Sequence, residues 1–250
     1  MGNRSCVQHN SMPDLVQKTT KNNILLFDQS LLPEMTDEMF KHDYWYDQHK
    51  VIGQAMGRGT TLFFTHNGQQ FVLRHYRRGG LIAKLIQDRY FYTGLANSRA
   101  WREFHLLNQA NTLGLPVPRA AAMWVQRQGL FYRADIILTK IPHAIDVFTL
   151  LKQQTLSAPL WRAIGAAIRQ LHDAQIYHHD LNIHNLMVDD KHKVWLIDFD
   201  KCAQKTGNTW KAANMQRLLR SLNKEKNKQS VFHFRAENWQ QCSEGYQGKV

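Results

Sequence analysis

Cysteine is scarce. Cys6, Cys202 and Cys242 are the only three in 250 residues, scattered without a CxxC pair or Cys/His metal spacing, which excludes a disulfide framework and a zinc site of that kind. A reducing compartment is the simpler reading. Long apolar runs are missing too: no window approaches the roughly 18 apolar residues of a membrane span. The opening MGNRSCVQHNSMPDLVQ holds no apolar core of signal-peptide length, so a cytoplasmic protein is expected. Met1-Gly2 begins like a myristoylation signal, but Cys6 stands where that pattern requires Ser or Thr. Acidic residues are the scarce charge. Against 32 Lys+Arg there are 20 Asp+Glu, a formal net charge of +12, which favours an anionic partner: a nucleotide, nucleic acid or an anionic membrane surface. Charge alone does not choose among them. With 43% hydrophobic and 21% charged residues the composition is that of an ordinary globular chain. Its length suits one two-lobed domain or two small ones.

What the chain does contain is concentrated between Ile176 and Lys201, IYHHDLNIHNLMVDDKHKVWLIDFDK. Asp180 follows two histidines, Asn185 comes five residues later, and Asp198 ends an apolar run that begins at Val194. LMV and VWLI read as short strands carrying a loop between them. Phosphoryl transfer needs a carboxylate to accept a hydroxyl proton, with an amide oxygen and a second carboxylate to hold Mg²⁺ against phosphates. His178-His179-Asp180-Leu181 with Asn185 fits H-R-D-L-x-x-x-N except at the Arg, and Asp198-Phe199-Asp200 fits D-F-G in two of three positions. Alone, HxD is a turn with a capping Asp, and an apolar run ending in Asp is a strand meeting its loop. In this order and spacing they point to a kinase site.

Upstream, residues 1 to about 23 read as polar and flexible, NNILLFDQSLL as a strand and turn, and the stretch from Thr36 as a short helix capped by Thr36. Tyr44, Trp45 and Tyr46 read as packing residues. Gly57 and Gly59 precede LFF, which the turn HNGQQ joins to FVLRHY in a hairpin. Glycines there let backbone N–H groups approach phosphates, or serve only a tight turn. FVLR resembles the strand that supplies a phosphate-holding Lys, here replaced by Arg74. Arg keeps the charge but is planar and forked rather than a point charge. Glu103 offers it an anchor, the alternative being an exposed residue paired with Arg99 at i,i+4. Between them Arg77, Arg78, Lys84, Arg89, Arg99 and Arg102 face one acid, Asp88, around Gly79-Gly80. That is either a basic flap over an anionic ligand or a solvated surface. LGLPVPRAAAMWV reads as an extended connection, and Lys140 to His143 as a hinge where backbone groups would meet adenine. SAPLWRAIGAAIRQLHDAQ is a helix, with Ser157 to cap it, Pro159 in its first turn and one apolar face of Leu160, Ile164, Ala167, Ile168 and Leu171. Past Asp198 no A-P-E sequence follows, which argues against a protein substrate. Trp210, Met215, Leu218, Leu219 and Leu222 suggest a packed helix flanked by Arg217 and Arg220. From Lys201 to Val250 ten Lys/Arg oppose three Asp/Glu, a basic end suited to anionic lipid head groups or to plain solvation.

GRGTT, VLRHYRRGGLIAKL, SRAWREF, YHHDLNIHNLMV, WLIDFDKC and WKAANMQRLLRSL resemble, in order and across nearly the whole chain, the bacterial lipopolysaccharide kinase family. The resemblance implies an α+β, two-lobed protein-kinase-like fold, with a small β-rich N-lobe and a mainly helical C-lobe. Residues 1–140 would then hold the N-terminal region and nucleotide-binding lobe, and residues 141–250 the catalytic lobe. It implies ATP and Mg²⁺, with Asp180 catalytic, Gly57, Gly59, Arg74 and Glu103 at the nucleotide, and Asn185 and Asp198 on the metal. It also implies an acceptor hydroxyl, O-4, on a Kdo sugar attached to lipid A precursor, and peripheral association with the cytoplasmic face of the inner membrane. Two rivals are a small-molecule kinase of aminoglycoside or choline type and a non-catalytic, basic nucleic-acid-binding protein. The second leaves the catalytic spacing unexplained, so no nucleic-acid partner is expected.

Overall fold

The computed structural model describes residues 13–56, 60–77 and 88–249. Its first half is built on one antiparallel sheet. The strands are β1 (Leu15–Thr19), β2 (Asn23–Asp28), β3 (Val51–Met56), β4 (Thr60–His66), β5 (Gln69–His75), β6 (Tyr90–Phe91), β7 (Ala120–Gln128) and β8 (Phe131–Thr139), with helices α1 (His42–Asp47) and α2 (Arg99–Thr112) between them. The spatial order is β1-β2-β7-β8-β5-β4-β3, with β6 beside β8. The expected hairpin is β4–β5, and its turn has the predicted chemistry. Asn67 (φ 49) and Gly68 (φ 77) both adopt left-handed conformations, the requirement that makes Asn-Gly the favoured two-residue turn.

Two readings of the first half need correction. Residues 15–19 are strand rather than flexible chain, paired with β2 from Leu15↔Asp28 to Thr19↔Ile24. AAAMWV is a central strand rather than a connection. Ala120, Ala121 and Ala122 are wholly buried because β7 lies between β2 and β8 with both faces covered. There the lack of side-chain bulk is what close packing on both sides requires, and it outweighs alanine's weak strand propensity.

Side chains alternate across the sheet with a period of two. Leu25, Phe27, Leu62, Phe64, Phe71 and Leu73 face a core closed by Leu32, Met35, Phe40 and Trp45. Trp45 stacks on Phe64 with ring centroids 3.8 Å apart and donates its indole N–H to the Met39 carbonyl at 2.7 Å. Its packing role is thus observed, although Tyr46 is exposed. Thr36 precedes a 3-10 turn, Asp37–Phe40, but makes no side-chain capping bond. The opposite face, with Leu26, Met123, Ala134 and Ile136, packs on Phe104 and Leu107 of α2, in a core continuous with the second half.

The second half is mainly helical: β9 (Ile145–Asp146), α3 (Val147–Gln153), α4 (Ala158–Asp173), β10 (Ile176–Tyr177), β11 (Leu186–Val188), β12 (Val194–Leu196), β13 (Ala203–Gln204), α5 (Lys211–Lys228) and α6 (Ala236–Gln247). The expected apolar face of α4 is buried in full, with Pro159 in the first turn, but Ser157 makes no side-chain cap. α6 has no counterpart in the sequence reading. It crosses α4 so closely that a Cβ on Gly165 would lie 1.9 Å from the Cys242 carbonyl oxygen, and one on Gly245 would lie 2.0 Å from that of Arg162. The β-rich first half and helical second half are those expected of the two-lobed α+β fold.

Candidate active site

β10 delivers the chain into a loop that ends in a 3-10 turn, Ile183–Asn185, after which β11 and β12 pair antiparallel with Leu186 opposite Leu196. This pairing brings Asn185 and Asp198 to the same end of one hairpin. Ile197 joins the parts: its N–H donates to the Asn185 carbonyl at 3.0 Å, and its own carbonyl accepts from Nε2 of His178 at 3.0 Å. His178 is fully buried, and burial lowers its pKa against the pull of that bond, so the ring stays neutral. Its ring meets buried Phe199 edge-on at 5.2 Å. Asp198 sits at φ 63, a left-handed conformation unusual for a residue with a Cβ.

The Asn185 side-chain N–H donates to the Asp180 backbone carbonyl at 2.9 Å. This fixes the orientation of the amide and leaves its oxygen for another partner. The Asp180 carboxylate points elsewhere and accepts from Arg217 of α5 at 2.8 Å. Partial burial pushes the Asp180 carboxyl up, but the Arg217 bond and charge, with help from Asn182, hold it below its ordinary value. It is therefore ionised at neutral pH, as a proton acceptor must be.

The cation is set across the two halves. Arg74 on β5 donates through Nη2 to Glu103 at 2.5 and 2.6 Å and through Nη1 to Asp198 at 2.6 Å. Glu103 is buried on α2 and also accepts from the Tyr76 hydroxyl at 2.6 Å. Burial works against the charge on Arg74, but Glu103, Tyr76 and Asp198 outweigh it and hold the guanidinium more firmly protonated than usual. Glu103 is thus buried and paired with Arg74 rather than exposed beside Arg99. Arg99, its alternative partner, instead binds Asp200, with Nε 2.7 Å from Oδ1, and Tyr90. Two members of the basic stretch are thus held in ion pairs at the site rather than spread over a solvated face. Arg78, Lys84, Gly79, Gly80, Gly57 and Gly59 lie outside the described residues; β3 and β4 flank the last two.

Among the described residues no cluster of three or more His, Cys, Asp or Glu could hold a metal. The donor set of Asn185 Oδ1 and the Asp198 carboxylate fits Mg²⁺ nonetheless. That ion keeps water and substrate phosphates in its shell and needs only one or two protein oxygens. The Lys140 to His143 stretch expected near adenine borders a cavity of about 1010 Å³ with Asn111, Lys193 and Trp195. Arg74, Asp180, Asn185 and Asp198 do not line that cavity.

A sequence model of the lipopolysaccharide kinase (Kdo/WaaP) family matches residues 42–246. The chain belongs to this family. Curated relatives named 3-deoxy-D-manno-octulosonic acid kinase include one from Vibrio cholerae, 46% identical over 82% of this chain and 87% of its own. Others come from Photobacterium profundum, 46% identical over 90% and 95%, and Haemophilus influenzae, 43% identical over 90% and 96%. A solved structure of a kinase of the Cydia pomonella granulovirus is similar at a TM-score of 0.44 and 14% identity, covering 62% of this chain and 52% of that one. Family membership makes the protein a kinase, an enzyme of phosphoryl transfer.

In this family member the loop from His178 to Asn185 hangs on α5 by residues the sequence reading did not single out as functional. Asn214 donates to the His178 carbonyl at 2.9 Å and accepts from Nε2 of His172 at 3.0 Å, while Nδ1 of His172 accepts from the Tyr246 hydroxyl at 2.8 Å. Ser221 accepts from the Ile183 N–H at 3.2 Å. The available signal was a polar stripe, Asn214, Arg217 and Ser221, at spacings of three and four beside buried Leu218 and Leu222. Polar residues repeating next to an apolar face read equally well as a solvated edge, which hid them.

Proposed function

We propose that the protein transfers the γ-phosphoryl group of ATP, with Mg²⁺, to the O-4 hydroxyl of a Kdo residue on lipid A precursor at the cytoplasmic face of the inner membrane. The observation that carries the chemistry is the Asn185 side chain, whose N–H is committed to the Asp180 carbonyl and whose backbone is tied to Ile197. The loop carrying Asp180 and Asn185 is thereby tied to the strand end that carries Asp198. A Kdo acceptor is supported by relatives that bear the 3-deoxy-D-manno-octulosonic acid kinase name at 43–46% identity. Exposed Arg220, Lys224, Lys226 and Lys228 on α5 suit an anionic surface, since each such cation contributes on the order of 1 kcal/mol near one.

When bound, ATP supplies the phosphoryl group and Mg²⁺ neutralises the charge developing on its oxygens. Arg74, anchored by Glu103, positions phosphate oxygens. Asn185 and Asp198 present oxygens to the metal. Asp180 orients the acceptor hydroxyl and takes its proton as the new O–P bond forms and the bond to the ADP leaving group breaks, help worth about 10²–10⁴-fold. The test is transfer from γ-labelled ATP, with Mg²⁺, to Kdo-bearing lipid A precursor, beside the sugar-free precursor and an aminoglycoside. Label on the Kdo lipid alone, lost in Asp180→Ala, is expected. Label on the aminoglycoside would overturn the acceptor while keeping the chemistry.

A further inference from the structure

Arg217 differs from the other two arginines of the site. Arg74 spends both terminal nitrogens on Glu103 and Asp198, and Arg99 is held by Asp200 and Tyr90. Arg217 has one partner among the described residues, Oδ1 of Asp180, and its side chain is 41% exposed beside a carboxylate that is 43% exposed. A guanidinium carries five N–H donors in a planar fork. Most of the Arg217 fork therefore has no partner among the described residues, in a side chain that is partly exposed beside the Asp180 carboxylate. Its position is set from behind: Asn214, one turn earlier, and Ser221, one turn later, are both bonded to the catalytic loop. It is a cation with spare donors next to the proposed base.

An ulosonic acid carries one carboxylate on its sugar ring, ionised at neutral pH. We propose that Arg217 is a specificity-determining residue that binds the carboxylate of the sugar acid acceptor while keeping its bond to Oδ1 of Asp180, which leaves Oδ2 to receive the hydroxyl proton. This rests on the reading that the acceptor is a Kdo sugar. One guanidinium bridging two carboxylates is already present in this site, where Arg74 spans Glu103 and Asp198. Paired forks on carboxylates are the geometry in which Arg discriminates against a neutral isostere, and Lys reproduces the charge without the fork.

The experiment compares wild type, Arg217→Lys and Arg217→Gln on two acceptors, Kdo-bearing lipid A precursor and the same lipid with the sugar carboxylate converted to its primary amide. For wild type the amide is expected to raise the acceptor KM about tenfold to a hundredfold, the range for a hydrogen bond to a charged group. Arg217→Gln should raise the acceptor KM on the natural acid by a similar factor, leave the KM for ATP within about twofold, and show little further loss on the amide. Arg217→Lys should fall between. If wild type uses acid and amide equally well, or if the penalties of Arg217→Gln and the amide multiply, the assignment is wrong. Failure of wild type to label the Kdo lipid at all would instead overturn the acceptor reading, and this assignment with it.

Discussion

Nη1 of Arg74 lies 2.6 Å from Oδ1 of Asp198, so a strand of the first half and the carboxylate of the Asp-Phe-Asp segment in the second are joined by one guanidinium. The same side chain is held by Glu103. The position expected to grip phosphates is therefore also a contact between the halves, and its loss should be felt in both binding and stability.

Replacing Glu103 with Gln keeps the shape but leaves a buried guanidinium short of one charge partner. Breaking a buried pair from one side costs roughly 3–5 kcal/mol, and Asp198 recovers part of it, so a loss of about 2–3 kcal/mol is expected in urea unfolding. The KM for ATP should rise as the Arg74 rotamer loosens. An unchanged midpoint together with an unchanged KM would show that Glu103 does not anchor Arg74.

Asp180→Asn should separate chemistry from folding. The Asp180–Arg217 pair is about half exposed, and such pairs contribute about 0–1 kcal/mol. A kcat lower by about 10²–10⁴-fold with a melting temperature within a few degrees of wild type is the expected outcome of steady-state assays and calorimetry. Near-wild-type turnover would remove Asp180 from its role.

The link through His172 predicts a pH dependence of stability. Burial drives its pKa down to about 4, against a weaker upward pull from Asn214. Between that value and the ordinary 6.5 the unfolded chain takes up a proton that the folded one does not. Stability from this group is therefore complete above about pH 6.5 and declines as pH falls toward 4, by up to about 3 kcal/mol. Urea midpoints from pH 7 to 4.5 should decline less steeply in His172→Gln than in wild type.

Gly165→Ala tests the crossing of α4 and α6. The added methyl would meet backbone, which cannot swing aside as a side chain can. Overpacking costs typically about 1–3 kcal/mol and more when the obstacle is rigid, so a loss of at least about 3 kcal/mol is expected. Thermal melting within two degrees of wild type would show that the helices separate freely.

Much of this site is legible in the sequence because its groups are local. Asp180, Asn185 and Asp198 lie within one short stretch whose strand periodicity places them together. Arg74 and Glu103 were legible by type, a cation on a strand and a carboxylate on the next helix, and the structure pairs them. What stayed hidden depends on distance along the chain. Arg99 and Asp200 are 101 residues apart, and Asp180 and Arg217 are 37 apart, so no periodicity reports either pair. β7 was hidden for another reason: three alanines make a poor strand by propensity and a necessary one between two covered faces.

The chain of bonds from Tyr246 through His172 and Asn214 to the His178 carbonyl makes the loop depend on a helix far downstream of it in the chain. A chain stopped before Ala236 keeps Arg74, Asp180, Asn185 and Asp198 but lacks both the Tyr246 hydroxyl and the partner that covers Gly165. Nucleotide turnover should therefore be absent from such a truncated chain.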